Sequence, residues 1–219
     1  MNKPLFISAI DTDAGKSIFT GLLAKYLMDQ GQKVITHKMA QTGCQGISED
    51  IQTHRKLCGI DLLPEDYQGA TCPYVFKYPA SPHLAAALEK QEIDPSVILQ
   101  SIEQLQTSYE TVLVEGAGGL LVPVKPGYTT IDFIQEHQFP LALVSSARLG
   151  SINHTLLSLE ACLHRNIEVK YLVYNHYPKA PEHISIDTLE VFKEYLHQHF
   201  PQCRVIHMPL DRAPLRFDG

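Results

Sequence analysis

Short apolar runs, separated by amphipathic stretches, constrain this chain more than any other feature. Residues 5–10, 34–38, 111–116, 120–124, 140–147, 169–175 and 205–209 read as strands. In several of them apolar residues do not alternate with polar ones, which is the pattern of a strand covered on both faces. Between them, residues 16–30, 48–57, 83–90, 97–107, 156–165 and 186–199 read as helices. In the first of these, Ile18, Leu22, Tyr26 and Leu27 would form one stripe, and Gly31 would end the helix. Residues 59–80, with Pro64, Gly69, Pro73 and Pro79, read as a long irregular excursion. A mostly β-then-α order with buried strands implies a doubly wound, mostly parallel α/β sheet with helices on both faces. No repeat or linker divides the chain, so residues 1–219 are expected to form a single domain.

The 219 residues are enough for one core of ordinary size. A hydrophobic fraction of 44% against 19% charged is globular composition and excludes a disordered chain. Eighteen basic against 24 acidic residues give a net charge of −6, and no basic tract accompanies it. Neither nucleic acid nor a membrane surface is therefore an expected partner. The five cysteines, at positions 44, 58, 72, 162 and 203, form no C-x-x-C. They predict reduced thiols in a cytoplasmic protein rather than a disulfide framework. No run approaches the ~18 apolar residues of a membrane helix, and residues 5–10 are too short for a signal-peptide core.

Polar residues stand where the strands end: Asp11, Lys38, Glu115, Ser145 with Ser146, and Asn175. In open α/β sheets, ligands bind outside the carboxyl ends of the strands. A strand leaving the core explains each residue singly, but not five such positions on one edge. The stretch A-I-D-T-D-A-G-K-S, Ala9 to Ser17, lies between a strand and a helix. Gly15, Lys16 and Ser17 would give a phosphate-binding loop its backbone N–H groups at a helix start, its lysine and its Mg²⁺-facing hydroxyl. The first glycine of the standard pattern falls on Ile10, however, and G-K-S alone also reads as an ordinary helix start. In T-V-L-V-E-G-A-G-G, Thr111 to Gly119, an apolar strand ends in a carboxylate, as P-loop proteins use to hold Mg²⁺. The alternative is a glycine-rich turn with a solvated glutamate. Lys38 beside Thr42 and Gly43 can clamp an anion, although taken alone a surface lysine is the commoner reading. Asp50 is at face value a favourable charge near a helix amino terminus. No H-E-x-x-H occurs, and Pro201 separates His197 and His199 from Cys203, so no zinc site is expected. G-x-S-x-G is absent, which leaves an α/β-hydrolase elbow unsupported.

Together these motifs resemble the dethiobiotin synthetase family. That family's loop, G-T-D-T-x-x-G-K-T, is matched at Asp11, Thr12, Gly15 and Lys16; Ser17 is a conservative replacement, and Ala9 and Ile10 depart from it. Its K-P-x-x-[ST]-G is matched at Lys38, Thr42 and Gly43, with Met39 in place of the proline. E-G-A-G-G at 115–119, P-x-S-P-H at 79–83, L-G-x-I-N-H at 149–154 and Asn175 follow in family order, and the resemblance spans about residues 5–210.

The resemblance implies a P-loop NTPase-like fold and an ATP-dependent enzyme that carboxylates 7,8-diaminononanoate with CO₂ and closes the ureido ring. It implies catalytic roles for Lys16 and Lys38. ATP contacts would come from Asp13, Ala14, Gly15, Lys16, Ser17, Ile18, Asp50, Glu115, Gly116, Ala117, Gly118 and Asn175. Mg²⁺ would be held by Ser17, Asp50 and Glu115. Substrate would touch Thr12, Thr42 and Gly118, with Leu149, Gly150 and Asn153 supplied by the partner subunit of a homodimer. In the family, the chain after the equivalent of Pro209 helps enclose the base. Here the residues after Pro209 include Asp211, Arg212, Pro214 and Arg216, and so short a tail is expected to make few fixed contacts.

Two rivals share this fold. A nucleotide switch of the partitioning type would carry an extra early lysine, as K-G-G, where this chain has Ala9, Ile10 and Asp11. An amidating synthetase usually adds a glutaminase domain, for which 219 residues leave no room. A P-loop domain that has lost catalysis is the third reading.

Overall fold

The structure is a computed structural model that describes residues 3–211 and 214–218, so Arg212 of the tail lies outside the described residues. In chain order the elements are β1 (Leu5–Ala9), α1 (Lys16–Asp29), β2 (Val34–Lys38), β3 (Gln41–Thr42), α2 (Glu49–Cys58), α3 (Pro64–Tyr67) and β4 (Val75–Phe76). Next come α4 (Pro82–Leu88), α5 (Pro95–Gln106), β5 (Thr111–Gly119), β6 (Pro123–Lys125), β7 (Tyr128–Thr129) and α6 (Thr130–His137). The remainder is β8 (Leu141–Ser146), α7 (Ser151–His164), β9 (Val169–Asn175), α8 (Glu182–His199), β10 (Arg204–Met208) and β11 (Arg216–Phe217).

Seven strands form the main sheet in the order β11-β10-β9-β8-β1-β5-β2. All neighbours pair in parallel except β10 with β11. The apolar strands are buried on both faces, as their sequences require. Phe6, Val112, Val114, Leu141 and Leu143 face one core, while Ile7, Leu113, Ala142 and Val144 face the other. The period-two geometry of a strand accounts for that division. Helix α1 covers the second core, and α4 to α8 contribute to the first. The doubly wound, mostly parallel α/β architecture is therefore the one observed.

Several local expectations are corrected. Residues 120–124 do not form a sheet strand: Leu120 to Val122 turn, and Pro123–Lys125 pairs with β7 in a separate ribbon. A cause lies just upstream, where Gly118 has φ +67° and an added Cβ would meet Val122 Cγ2 at 2.7 Å. The segment 59–80 is not wholly irregular, since it holds α3 and β4. Helix α6 was not expected; Asp132 accepts from both the N–H and hydroxyl of Thr129, at 2.8 and 2.6 Å, and so caps it. On α1 the buried apolar side chains are Phe19, Leu22, Leu23 and Ala24, whereas Ile18, Tyr26 and Leu27 are half-buried beside them. Helices α7 and α8 begin several residues before the expected 156 and 186. The described tail is no loose end: Leu215 is buried, Phe217 packs on Tyr26, and Asp218 pairs with Lys193 and His207.

Candidate nucleotide and metal site

The carboxyl ends of β1, β2, β5 and β9 open on a cleft of about 760 Å³. The loop from Asp11 to Gly15 joins β1 to α1. Gly15 precedes the helix with φ +102°, and a Cβ there would come within 2.6 Å of Asn175 Nδ2. Glycine is thus required twice over, by conformation and by close approach. Asp13, a non-glycine, also sits at positive φ (58°), a conformation that costs energy and is concentrated at functional loops. Among the described residues no side chain caps α1, so the N–H groups of its first turn are not capped by a side chain.

Register places the charged residues together. Lys38 of β2 lies opposite Glu115 of β5, and the N-cap Ser48 starts α2 so that Asp50 points back to them. Lys38 Nζ lies 2.6 Å from Asp50 Oδ2 and 2.9 Å from Glu115 Oε1, and donates to the Gly116 carbonyl at 3.0 Å. Ser17 Oγ lies 2.7 Å from Asp50 Oδ1 and 2.8 Å from Glu115 Oε1. Two carboxylates thus converge on one hydroxyl that has one proton to give. Lys38 is 5% exposed, which removes the surface-lysine reading. Glu115 is fully buried, which removes the solvated turn.

The electrostatics follow from these contacts. Burial alone would lower the Lys38 ammonium, but Glu115 and Asp50 outweigh it and hold the group above the usual lysine value. Burial alone would raise the Glu115 carboxyl, but Lys38 and then His54 hold it well below the carboxylate range. Lys16 is pushed down to about 8, chiefly by burial and then by Lys38. Its ammonium donates to the Asp11 carbonyl at 3.1 Å, and among the described residues no carboxylate is held against it in an ion pair.

A divalent cation fits this donor set. One hydroxyl and two carboxylates are hard oxygen ligands, and a set this small suits Mg²⁺, which keeps waters and phosphate oxygens in its remaining positions. Among the described residues no group of three or more His, Cys, Asp or Glu is placed to hold a metal by itself.

Most residues singled out from sequence face the cleft: Thr12, Asp13, Gly15, Lys16, Ser17, Ile18, Lys38, Thr42, Asp50, Glu115, Ala117, Gly118 and Asn175. Ala14 and Gly116 are buried behind them. Leu149, Gly150 and Asn153 are not brought into this chain's cleft; they lie exposed at the start of α7, Leu149 at 98% exposure. Arg148, next to them, pairs with Asp11 of the loop. Sequence reasoning missed Gln41 and Tyr177, both on the cleft wall. Gln41 Oε1 accepts from Ser48 Oγ at 2.7 Å and so steadies the start of α2. It also missed His54, whose ring lies 2.8 Å from Glu115 Oε2. The available signal was spacing: His54 stands one helical turn after Asp50, on the same side of α2. Asn175 is less free than its side chain suggests, because Nδ2 donates to the Ala14 carbonyl and Oδ1 accepts from the Tyr177 N–H, both at 2.9 Å.

Comparison with known proteins agrees with this geometry. A family profile described as an AAA domain matches residues 3–205. ATP-dependent dethiobiotin synthetase BioD 2 of Haemophilus ducreyi is 54% identical over 208 residues, covering 95% of this chain and 99% of that one. The protein of the same name from Haemophilus influenzae is 58% identical, covering 82% and 94%. ATP-dependent dethiobiotin synthetase BioD of Chlorobaculum tepidum is 52% identical, covering 93% and 86%. Among solved structures, a ParA family ATPase from Chlorobium tepidum superposes with a TM-score of 0.53 at 14% identity, covering 88% and 82%. The signal recognition particle receptor FtsY of Elizabethkingia anophelis, with GDP, gives 0.58 at 10% identity, covering 100% and 61%. At such identities these two are similar in fold alone.

Proposed function

The chain belongs to the dethiobiotin synthetase family, ATP-dependent ligases of biotin biosynthesis, and on that premise we propose that it forms the ureido ring of dethiobiotin from 7,8-diaminononanoate and CO₂. One amine of the substrate adds to CO₂ and loses a proton, giving a carbamate. A carbamate oxygen attacks the γ-phosphorus of ATP, ADP leaves, and a carbamic-phosphoric anhydride results. The second amine then attacks the carbonyl carbon, phosphate leaves, and the five-membered ring is closed.

Negative charge builds on the transferring phosphoryl group and the carbamate, so positioning and cationic stabilisation carry the catalysis. Lys16, whose ammonium is held over the loop by the Asp11 carbonyl, would meet the β- and γ-phosphates. Lys38, at the junction of loop and strand, would face the carbamate and the γ-phosphoryl. Thr12, Thr42 and Gly118, which line the cleft, would contact the diamine. Ser17, Asp50 and Glu115 would hold Mg²⁺, which would supply charge neutralisation for the phosphates. Leu149, Gly150 and Asn153, exposed at the start of α7, would complete the substrate site of a second copy, which makes the working unit a homodimer.

The observation that carries this reading is the convergence of Asp50 and Glu115 on both the Ser17 hydroxyl and the Lys38 ammonium, at the mouth of the G-K-S loop. The deciding assay is phosphate release. It should require both the diamine and bicarbonate. Release at the same rate without either would mark a nucleotide switch instead.

A further inference from the structure

We propose that His54 is a positioning residue for Glu115: it ties one carboxylate oxygen into the core so that the other is presented to the cation. The inference rests on the Mg²⁺ reading above. Its basis is a chain of buried polar groups behind the cleft, running from Glu115 through His54 and Thr36 to Arg55 and Asp66. Thr36 and His54 are fully buried, and Arg55 and Asp66 are 3% and 4% exposed.

The direction of each hydrogen bond follows from the groups. A guanidinium only donates, so Arg55 NH1 gives its proton to Thr36 Oγ1 at 2.9 Å. An ionised carboxylate only accepts, so the His54 ring carries a proton on Nε2 and donates it to Glu115 Oε2 at 2.8 Å. In the neutral ring Nδ1, 3.0 Å from Thr36 Oγ1, is then the acceptor of the Thr36 hydroxyl proton. Arg55 is itself fixed by Asp66, which accepts from Nε at 2.9 Å and NH2 at 2.8 Å. Glu115 Oε2 is thereby occupied from behind, while Oε1 faces Ser17 and Lys38 in the cleft. Rotation of the carboxylate would break the His54 bond in a site where water cannot replace it. Helix α2 thus carries one carboxylate of the site, Asp50, and the group that orients the other.

A histidine that merely fills the core would affect stability and nothing else. The test therefore reads metal binding directly: Mn²⁺ affinity of the full chain with ADP, by electron paramagnetic resonance, and ADP affinity in excess chelator. Loss of an outer hydrogen-bond partner typically weakens metal binding roughly 10–100-fold. His54→Leu should show a loss of that size, with chelator-state ADP affinity unchanged. His54→Gln, whose amide N–H can replace the Nε2 donor, should recover most of it, and Thr36→Val should fall between. A folded His54→Leu variant that binds Mn²⁺ like the parent overturns the proposal. Should that variant not fold, parental Mn²⁺ affinity in Thr36→Val overturns it equally. Glu115→Gln separates the two readings: if it too leaves Mn²⁺ affinity unchanged, the metal site itself is misassigned.

Discussion

Two buried charge clusters lie side by side in this molecule, and they are built to opposite plans. In the Arg55–Asp66 pair every strong group is answered. Asp66 accepts from Arg55 twice, from the Leu63 N–H and from Thr71 Oγ1, and both side chains are sealed from solvent. In the Lys38–Asp50–Glu115 cluster two carboxylates share one ammonium and one hydroxyl, and Asp50 opens onto the cleft. The first cluster has no capacity left for a ligand. The second has an excess of negative charge facing a cavity, which is what a cation needs. Saturation, more than burial, separates a structural ion pair from a functional one.

Breaking the sealed pair should have the largest effect on folding. Asp66→Ala leaves a buried guanidinium without its partner, and such losses cost about 3–5 kcal/mol. Urea denaturation should show that loss, and added Mg²⁺ should not restore it. A cost under about 1 kcal/mol would mean that the pair behaves like an exposed one.

Lys38→Ala attacks the open cluster. Turnover should fall by roughly 10²–10³, the usual penalty for one lost electrostatic donor. A sequence-level view predicts little change in folding, but the buried position of Lys38 between two carboxylates alters that expectation. The variant should be less stable than the parent, and Mg²⁺ should raise its melting temperature more than it raises the parent's, because a bound cation answers the same carboxylates. Equal shifts in the two proteins would mean that the cation and Lys38 do not answer the same carboxylates.

Asp50→Asn and Glu115→Gln remove one charge each from the open cluster. Each should raise the Mg²⁺ needed for half-maximal turnover by about tenfold, or 1.4 kcal/mol, and excess Mg²⁺ should partly rescue both. An unchanged metal dependence in both variants removes these residues from the ligand set.

The sealed cluster should also respond to acid. Burial alone would raise the Asp66 carboxyl, but hydrogen bonds from Arg55 and from the Leu63 N–H hold it below its ordinary value. A carboxyl whose folded value is depressed contributes stability that is complete above its unfolded value, about 4, and lost as pH falls through the folded one. Asp66→Asn should therefore flatten the acid limb of the stability curve below about pH 4. A parallel limb in parent and variant would place the acid sensitivity elsewhere.

The smallest effect concerns the base. Asn175 has one N–H and one oxygen lone pair committed to the Ala14 carbonyl and the Tyr177 N–H, which fixes its amide plane and restricts how it can meet adenine. Lost base contacts of even ~1.4 kcal/mol cost tenfold in selectivity. GTP and CTP should compete with ATP within about two orders of magnitude when binding is measured side by side, and a hundredfold or greater preference for ATP would falsify the idea.

Much of this was legible in residue order. The strand Val34–Lys38 has the bounds expected from the sequence, and the carboxylate of T-V-L-V-E stands at the cleft edge as its motif implies. Elements of two residues, such as β3, β4, β7 and β11, carry too little periodicity to be seen. Helix α6 escaped because its eight residues follow a ribbon with no stop signal between them, and its start depends on Thr129 finding Asp132. The apolar run at 120–122 looked like a strand because only the left-handed Gly118, packed against Val122, turns it away.

The sequence by itself determined the parallel sheet, the phosphate loop and the identity of its charged residues, because strand and loop patterns are local and their periods survive in the residue order. Only the tertiary structure decided what those charges do to one another. Lys38 and Glu115 are 77 positions apart, and His54 and Glu115 are 61 apart. Whether a lysine is a solvated surface group or the shared counter-charge of two carboxylates depends on distance and on the exclusion of water. Both are set when β2 and β5 pair and α2 packs behind them, and neither is written in either segment alone.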